Sequence, residues 1–478
     1  MTWARLRRWR STPSASSCPP VRASARCANW CPRAIWCARS CARRNRSSPP
    51  SRDTRNDRLA RFDFRRMLTM LRSNADMRRM FIAQVISYMG DWFSFVALVG
   101  LIKDLTDSNF LVSMVMVSFS LPSFFASPIA GPMVDRFDRR RILVVVSAFQ
   151  ALAALGLLLV GADTVWLAFV FQSTVSALAA VIGPASQAAI PNIARDEEEL
   201  SKANALLGST WGVMLAVGAA IGGVFAATFG RDAAFIANAL SFVVSGIFFS
   251  LIRTPMQAPS DPAKRRQRLR PVADMGEALT HARRDPVLMA LVLSKTTFAV
   301  GSGVVSQLAV LASDVFDGGD GYRGILIGAR GLGAGIGPAL AMKYTGRDLN
   351  RVLKVCGVSS LTFSLCYLAG AWMPVFGLAA LFIVLAHLGG GAQWTLSTFG
   401  LQMRSPDELR GRIIAGDFAL VTLTMSVTSA LAGLLSDAIG VRETITVFTG
   451  AAAVASFVYI NATRRLRIRL LSSPTSEP

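Results

Sequence analysis

Five ionisable residues lie inside long apolar stretches of this chain: Asp91, Lys295, Arg330, His387 and Asp417. A charged side chain in the hydrocarbon core of a bilayer costs about 2.5–3.5 kcal/mol on insertion scales, so each needs a function or a partner. Carboxyl, amino, guanidinium and imidazole groups in such a setting form ion pairs, bind polar cargo or carry protons. These residue types therefore predict a protein that binds polar cargo and transfers protons.

Asp91 lies midway along its apolar stretch, next to Trp92. Burial favours the neutral form of a carboxyl group, so Asp91 is predicted to carry a proton. The alternative is a structural hydrogen bond to a neighbouring helix. Lys295 has three possible roles: a substrate contact, a counter-ion to Asp91 or Asp417, or a side chain that extends to the membrane surface.

The other three residues have plainer expected roles. Arg330 is predicted to be structural or part of a gating ion pair, with a substrate contact as the alternative. Asp417 is expected about one turn into its stretch, near the inner surface and paired with basic loop residues. His387 is expected to be a neutral, hydrogen-bonded imidazole, with a role in proton coupling as the alternative.

The elements that position these residues form a train of twelve apolar stretches separated by short polar connections. A helix rises about 1.5 Å per residue, so about twenty residues cross the roughly 30 Å hydrocarbon core. The pattern predicts an all-α membrane protein with twelve transmembrane helices. The predicted spans, numbered one to twelve, cover 80–102, 110–133, 142–161, 164–187, 203–228, 233–252, 287–312, 323–342, 352–371, 375–399, 413–435 and 443–461.

The Lys and Arg residues of the connections predict an orientation. Alternate connections and the C-terminal tail together hold twenty-five of them, whereas the remaining connections hold four: Lys103, Arg231, Arg323 and Arg442. Cytoplasmic loops carry the excess of Lys and Arg. Both termini are therefore predicted to be cytoplasmic.

The bulk composition excludes several function classes. Of the 478 residues 52% are hydrophobic and only 17% are charged, below the usual quarter. The net charge of +22 would suggest nucleic acid, but residues 1–70 alone hold seventeen Arg and three Asp. The chain has two His, no P-loop and no HExxH motif. We therefore expect no enzyme, no nucleic-acid partner, no built-in ATP drive and no cofactor or metal.

Five segments follow from these patterns. A basic head (1–66) precedes a six-helix bundle (67–252), a cytoplasmic linker (253–286), a second six-helix bundle (287–461) and a basic tail (462–478). The head is rich in Arg, Ser and Pro and is predicted to be disordered. Its five Cys suggest zinc only weakly because no His is nearby. Translation is expected to begin near Met67, and no disulfide is expected.

The connection between spans two and three reads GPMVDRFDRRR from Gly131 to Arg141. It resembles the G-x-x-x-D-R/K-x-G-R/K-R/K element that the major facilitator superfamily has in this connection. Segments QVISYMGDWFSFVAL, GARGLGAGIG and SPDELRGRI resemble the branch that holds siderophore exporters and macrolide efflux proteins. The resemblance covers about 67–465 and implies two pseudo-repeated six-helix bundles. The loops PNIARDEEELSKANAL and LQMRSPDELRGRI, at equivalent points of the two halves, also suggest a duplication.

The resemblance implies roles for particular residues. In the family, the element after span two latches the two halves, whereas the alternative is a plain basic loop on the inner side. Its residues here are Gly131, Asp135, Arg136, Asp138, Arg139 and Arg140. Spans one and seven are equivalent helices that line the central cavity, so Asp91 and Lys295 could face each other. The predicted cavity aromatics are Trp92, Phe95, Trp211 and Trp394, with lipid-facing packing as the alternative.

Glycines spaced four residues apart predict close helix packing in lipid. They form three pairs, Gly218 with Gly222 in span five, and Gly331 with Gly335 and Gly333 with Gly337 in span eight. The family fold packs spans five and eight together between the halves. A smooth seam there could let the halves rock, and static close packing is the alternative.

Together these patterns predict a secondary transporter that exports an amphipathic small molecule, driven by protons, through alternating access. One alternative is an importer of a nutrient or lipid, and another is a non-transporting receptor or scaffold. The use of Arg, Ala and Gly suggests a bacterium with GC-rich DNA. The expected location is the bacterial cytoplasmic membrane, and the expected state is a monomer in the lipid bilayer.

Overall fold

The computed structural model describes residues 64–257 and 271–472. Within these ranges the chain forms α-helices and two short 3-10 turns, and no β-strand. The predictions about zinc, disorder and the start of translation in the head fall on residues outside the described ranges. So do the centre of the linker and the last six residues of the tail.

Eleven helices of the described chain are long and apolar enough to cross a membrane. They correspond to every predicted span except the seventh, and each helix keeps its span number here. In chain order they are Ala75–Thr106, Asn109–Arg136, Arg139–Gly156, Trp166–Ile193, Glu197–Phe229, Arg231–Ser250, Asp320–Thr345, Leu349–Ala371, Phe376–Arg404, Asp407–Ile439 and Val441–Ser472. Two further helices, Phe64–Ser73 and Pro271–Arg284, precede the first and seventh spans.

Span seven differs from the single helix predicted over 287–312. It consists of three successive helices, Pro286–Gly301, Gly303–Ser306 and Leu308–Asp314. At the two breaks the backbone bonds join residues three apart, from Ser302 N to Ala299 O and from Gln307 N to Val304 O. Such tighter turns interrupt the regular helix. The three pieces together make the twelfth crossing.

Side-chain caps fix where several spans begin. A capping oxygen satisfies one of the backbone N–H groups that the first turn of a helix leaves without a partner. Asn74 accepts from Met77 N at 3.0 Å before span one, and Asp196 accepts from Glu199 N at 2.7 Å before span five. The same role falls to Ser108, Asp138, Asp285 and Asp348. Polar residues in the connections thus define the ends of the apolar helices.

The helix pairs of the first half recur in the second half. Span one packs against spans five and six, span two against span four, and span three against spans four and six. The same pairs, shifted by six, are found among spans seven to twelve. The halves meet where span five packs against span eight and span two against span eleven. This arrangement is the pseudo-repeated pair of six-helix bundles that the sequence predicts.

Candidate functional site

The centre of the second half holds a buried ion pair between Lys295 and Asp417. The Lys295 ammonium donates to Asp417 Oδ2 and, at 2.8 Å, to Thr398 Oγ1, and it lies 5.1 Å from the centre of the Trp394 ring. Lys295 is 3% exposed and Asp417 is 2% exposed. The second carboxylate oxygen, Oδ1, is buried and has no hydrogen-bond partner among the described residues. The pair therefore retains one free acceptor.

Asp417 lies further along its helix than the sequence suggested. The helix begins at Asp407 rather than near residue 413, so Asp417 stands about 15 Å from its start, about three turns in rather than one. Its partner is Lys295 of span seven instead of a basic loop residue. Of the roles considered for Lys295, the structure shows the counter-ion to Asp417. The expected approach of Lys295 to Asp91 is not present as an ion pair.

Asp91 in the first half has no such counter-charge. It lies near the middle of span one and is partly exposed, and it makes no hydrogen bond or ion pair with any other described residue. The alternative of a structural hydrogen bond is therefore absent from the described part of the chain. Asp91 is the carboxyl group that remains available for a proton or a cargo group.

An aromatic cluster lies beside Asp91. The Trp92 ring lies 5.5 Å from Phe95, 5.8 Å from Phe119 and 6.1 Å from Trp211, measured between ring centres. Trp211 is 41% exposed, so the cluster has an open side. The predicted cavity aromatics of the first half thus come together, from spans one, two and five. Trp394 lies apart from them and packs edge-on against Phe418, with the ring centres 6.3 Å apart.

Arg330 and His387 form a third group within spans eight to ten. His387 Nε2 shares a 2.8 Å hydrogen bond with the Tyr367 hydroxyl, and both side chains are buried. This agrees with the expected hydrogen-bonded imidazole. Arg330 is 9% exposed, and among the described residues it makes neither the predicted ion pair nor any hydrogen bond.

In the motif after span two, Arg139 and Arg140 contact span four and the start of the linker. Arg139 donates to the Ala188 carbonyl at 2.8 Å and the Met256 carbonyl at 2.9 Å, and Arg140 donates to the Arg253 carbonyl at 3.2 Å. Asp138 accepts from Arg141 N at 2.9 Å and caps span three. Arg136 is exposed, and it too has an interaction partner. The side-chain surroundings of Gly131 and Asp135 are outside the description, and the latching role stays a prediction.

The glycine pairs contact other helices than expected. A Cβ on Gly218 would lie 3.3 Å from Trp92 Cβ, and one on Gly222 would lie 2.8 Å from Phe93 Cα. Both therefore pack against span one, not span eight. Gly333 and Gly337 face the backbone of span ten, and Gly335 has no neighbour within 4 Å.

The seam between spans five and eight is made by different glycines, with the exception of Gly331. A Cβ on Gly223 would lie 2.7 Å from Gly324 Cα, and one on Gly328 would lie 2.9 Å from the Ala216 carbonyl oxygen. Gly331 is the predicted residue that does lie at this seam, against the Ala216 backbone. The spacing of small residues predicted close packing, but it carried no information on which partner helix each face meets.

Sequence reasoning missed a cluster of ion pairs that joins the two halves at one end. This end, which holds the connections predicted to be outside, is called the outer end. Arg231 bonds to Asp320 at 2.8 Å and to Asp104 at 2.6 Å, Arg323 bonds to Asp320 at 2.6 Å, and Lys103 bonds to Asp314 at 3.1 Å. Three of the four basic residues counted in the sparse connections thus have acidic partners. The signal for these ion pairs in the sequence was that Lys or Arg and Asp occur together in and near the sparse connections.

A second contact at the outer end joins spans two and eleven. Asp437 accepts from Asn109 N at 2.6 Å and from Phe110 N at 3.1 Å, so one carboxylate receives the free N–H groups at the start of span two. Deeper in the membrane, the hydroxyl groups of Ser120 and Ser426 are 2.8 Å apart. The described contacts therefore hold the halves together from the outer end to mid-depth along these spans.

At the opposite end, the junction of linker and span seven contains the pair of Asp285 and Arg404. Arg404 Nε donates to Asp285 Oδ2 at 2.6 Å, and Asp285 also caps span seven through Val287 N at 2.9 Å. Partial burial opposes ionisation, but the hydrogen bonds and the charge of Arg404 outweigh it and lower the pKa of Asp285 below its ordinary value.

Comparison with known proteins places this arrangement in a family. The sequence profile of the family described as transmembrane secretion effector matches residues 68–475, which is nearly the whole described chain. The chain belongs to this family of major facilitator superfamily transporters. The resemblance drawn from the motifs is thereby confirmed, and the chain is a transporter rather than an enzyme.

Curated members of the superfamily resemble this chain over most of its length. The putative bacilysin exporter BacE of Bacillus subtilis (strain 168) is 25% identical over 359 residues, covering 74% of this chain and 86% of BacE. The multidrug efflux pump Tap of Mycobacterium tuberculosis (strain ATCC 25618 / H37Rv) is 26% identical over 376 residues, covering 76% of this chain and 87% of Tap.

Solved structures share the fold. A bacterial homologue of the human lysosomal transporter Spinster matches with a TM-score of 0.66 and 17% sequence identity, covering 84% of this chain and 99% of the homologue. A POT family transporter crystallised with a thioalcohol-conjugated peptide matches with a TM-score of 0.63 and 10% identity, covering 82% and 96% of the two chains. At these identities the likeness establishes the architecture alone.

Proposed function

We propose that this protein is a proton-coupled exporter of amphipathic small molecules in a bacterial cytoplasmic membrane, with both termini in the cytoplasm. The observation that carries the proposal is Asp91, a carboxyl group at mid-depth in span one that has no counter-charge among the described residues. A carboxyl group without a fixed partner can take up and release a proton at moderate cost. A carboxylate held by an ammonium group is stabilised in its charged form.

The aromatic cluster beside Asp91 supports an amphipathic cargo. Trp92, Phe95, Phe119 and Trp211 offer apolar and polarisable surface, with Trp211 partly exposed. Binding sites for small molecules are usually apolar with a few placed polar groups. The exporter and efflux-pump names of the relatives BacE and Tap support the outward direction. The protein is expected to act as a monomer.

The contacts at the outer end support alternating access. The ion pairs of Arg231, Arg323 and Lys103 would have to open to release cargo outside, while the seam of Gly223, Gly324 and Gly328 keeps spans five and eight in backbone contact. One proton that crosses about 100 mV and one pH unit yields about 2.3 and 1.4 kcal/mol, enough for a gradient of several hundred-fold.

The proposal is tested by accumulation assays in a bacterial host that lacks its own efflux pumps. The probes are ethidium, erythromycin and naphthylacetate, which are a cation, a macrolide and a carboxylate. We expect the wild-type protein to lower the accumulation of at least one probe, and a protonophore to abolish this effect. Asp91→Asn should reduce uphill export at least tenfold while leaving downhill exchange of the same probe intact.

The matched control is Asp163→Asn, which removes an exposed carboxyl group from the connection between spans three and four. It should export like the wild type. Uphill export by Asp91→Asn at the wild-type rate would overturn the assignment of Asp91. Export that persists in the presence of the protonophore would overturn proton coupling itself.

A further inference from the structure

Arg330 is placed where a free charge is costly. Its helix begins at Asp320, so Arg330 stands about 15 Å along span eight, in the middle of the hydrocarbon core. Nine-tenths of the residue is buried. Charges in such positions normally face a bundle interior or a water-filled space and are paired.

The other buried cations of the described chain all have partners. Lys295 is paired with Asp417, Arg323 with Asp320, and Lys103 with Asp314. Arg330 alone among these four makes no ion pair and donates no hydrogen bond to a described residue, and its Nε is buried without any acceptor. The described part of the protein therefore supplies no anion for this guanidinium group.

The surroundings of Arg330 indicate what that anion looks like. Gly333, one turn further along span eight, packs against His387, so the Arg330 side of the helix faces span ten. The His387 Cβ lies 2.9 Å from where a Cβ on Gly333 would stand, and the His387 imidazole is 2.8 Å from the Tyr367 hydroxyl. With a neutral imidazole, the bond between them uses one of their two protons, so the pair can donate one further hydrogen bond to an oxyanion.

Aromatic rings continue from this polar group towards span seven. Phe363 lies 4.7 Å from Tyr367 and 5.5 Å from His387, and Phe298 lies 4.6 Å from Phe363, measured between ring centres. A guanidinium group binds a carboxylate through two parallel hydrogen bonds, and the adjoining rings fit an apolar body. Cation, donors and rings together match an amphipathic acid.

We propose that Arg330, assisted by Tyr367 and His387, binds the carboxylate of a transported amphipathic acid or zwitterion. This inference rests on the transport function proposed above and narrows its cargo. An amphipathic molecule that carries only positive charge would leave Arg330 unpaired and would add repulsion, so carboxylate-bearing cargo is selected over purely cationic cargo.

The test measures thermal unfolding of the purified full-length protein in detergent, with naphthylacetate and its uncharged analogue naphthylacetamide as probes. A ligand that binds only the folded state raises the unfolding temperature. For the wild type we expect a larger rise with the acid than with the amide. Arg330→Gln should weaken binding of the acid about tenfold to hundredfold and leave the amide response unchanged.

Two further variants separate binding from structure. Arg330→Lys keeps the charge but loses the planar fork, so it should retain part of the response to the acid. Arg351→Gln removes an exposed guanidinium group from the start of span nine and should respond like the wild type. Without ligand, Arg330→Gln should unfold at the same or a higher temperature, because it removes an unpaired buried charge. A structural role predicts a lower temperature.

The proposal is overturned if naphthylacetate stabilises the wild type no more than the amide does, or if Arg330→Gln lowers the unfolding temperature without ligand. This assay uses no proton gradient, so its outcome is independent of the export assay. Uphill export of ethidium or erythromycin together with no response to the acid would remove the carboxylate site and leave the exporter standing. A response to the acid without uphill export of any probe would keep the carboxylate site and remove the exporter function.

Discussion

The first and second halves of the membrane body share one scheme of helix pairs but differ in the charges at their centres. Spans one and seven are equivalent in that scheme. Span one carries Asp91, which has no counter-charge in the described part of the chain, whereas span seven carries Lys295 paired with Asp417. The repeated scaffold thus holds one carboxyl group without an ion pair and one that is ion-paired. We interpret the free carboxyl group as the coupling site and the fixed pair as part of the framework.

The largest expected effect comes from breaking the fixed pair on one side only. Lys295→Met leaves Asp417 buried and uncompensated and should lower the free energy of unfolding by about 3–5 kcal/mol. The double variant Lys295→Met, Asp417→Leu removes both charges and should recover most of that loss. Denaturant titration in detergent measures both. A double variant as unstable as the single one would show that the two residues are not coupled.

The second effect concerns the surface where the halves meet. Gly331→Ala places a Cβ against the Ala216 backbone, forces spans five and eight apart, and should cost about 1–3 kcal/mol. Gly335→Ala, in the same helix with no neighbour within 4 Å, is the matched control and should stabilise the helix by about 0.5–1 kcal/mol. Equal unfolding midpoints for both variants would mean that Gly331 does not lie at a close contact.

The third effect tests the free charge of the first half for a structural role. Asp91→Asn removes no ion pair or hydrogen bond, so the free energy of unfolding should change by less than about 0.5 kcal/mol. Asp417→Asn should be clearly more destabilising because it leaves the Lys295 ammonium group without its counter-ion. The same denaturant titration compares the two. A larger loss for Asp91→Asn would reverse the assignment of fixed and free charges.

The smallest effect lies at the exposed end of the second half. The pKa of Asp285 is lower in the folded protein than its ordinary value of 3.8. Its contribution to stability is therefore fully present above pH 3.8 and is lost as the pH falls through the lowered pKa. Asp285→Asn keeps the helix cap and should flatten this acid dependence. Unfolding midpoints recorded from pH 5 to 3 give the comparison, and identical slopes would contradict it.

The sequence was sufficient for the helices and for their order. Hydrophobic stretches of membrane length mark the spans, and in lipid a backbone of that length satisfies its hydrogen bonds as a helix. The first break in span seven had a signal in the sequence, because Gly301 and Gly303 on either side of Ser302 weaken a regular helix, whereas Gln307 at the second break is compatible with one. The breaks themselves are shown by the backbone bonds from Ser302 N to Ala299 O and from Gln307 N to Val304 O.

The sequence indicated which residues belong to the site more readily than which of them pair with each other. Asp91, Lys295 and Asp417 stand out because each breaks an apolar run, but pairing depends on depth and on helix rotation, which sequence spacing does not give. The start of span eleven was predicted six residues too late, and Asp417 was assigned to basic loop residues instead of to Lys295. Because sequence spacing does not give helix rotation, Gly218 and Gly222 were also assigned to the wrong neighbouring helix.

Span seven carries two ion-paired residues, one on each side of an interrupted stretch of backbone. Its first segment holds Lys295, and its last segment holds Asp314, which binds Lys103 at the outer end. A continuous helix would transmit every tilt of one segment to the other as a stiff rod. Two breaks between them interrupt that rod, and we expect the outer segment to tilt more independently of the inner segment, which is paired with Asp417. We therefore expect substitutions that restore a continuous helix at the breaks to slow transport, although they remove no residue of the proposed binding sites.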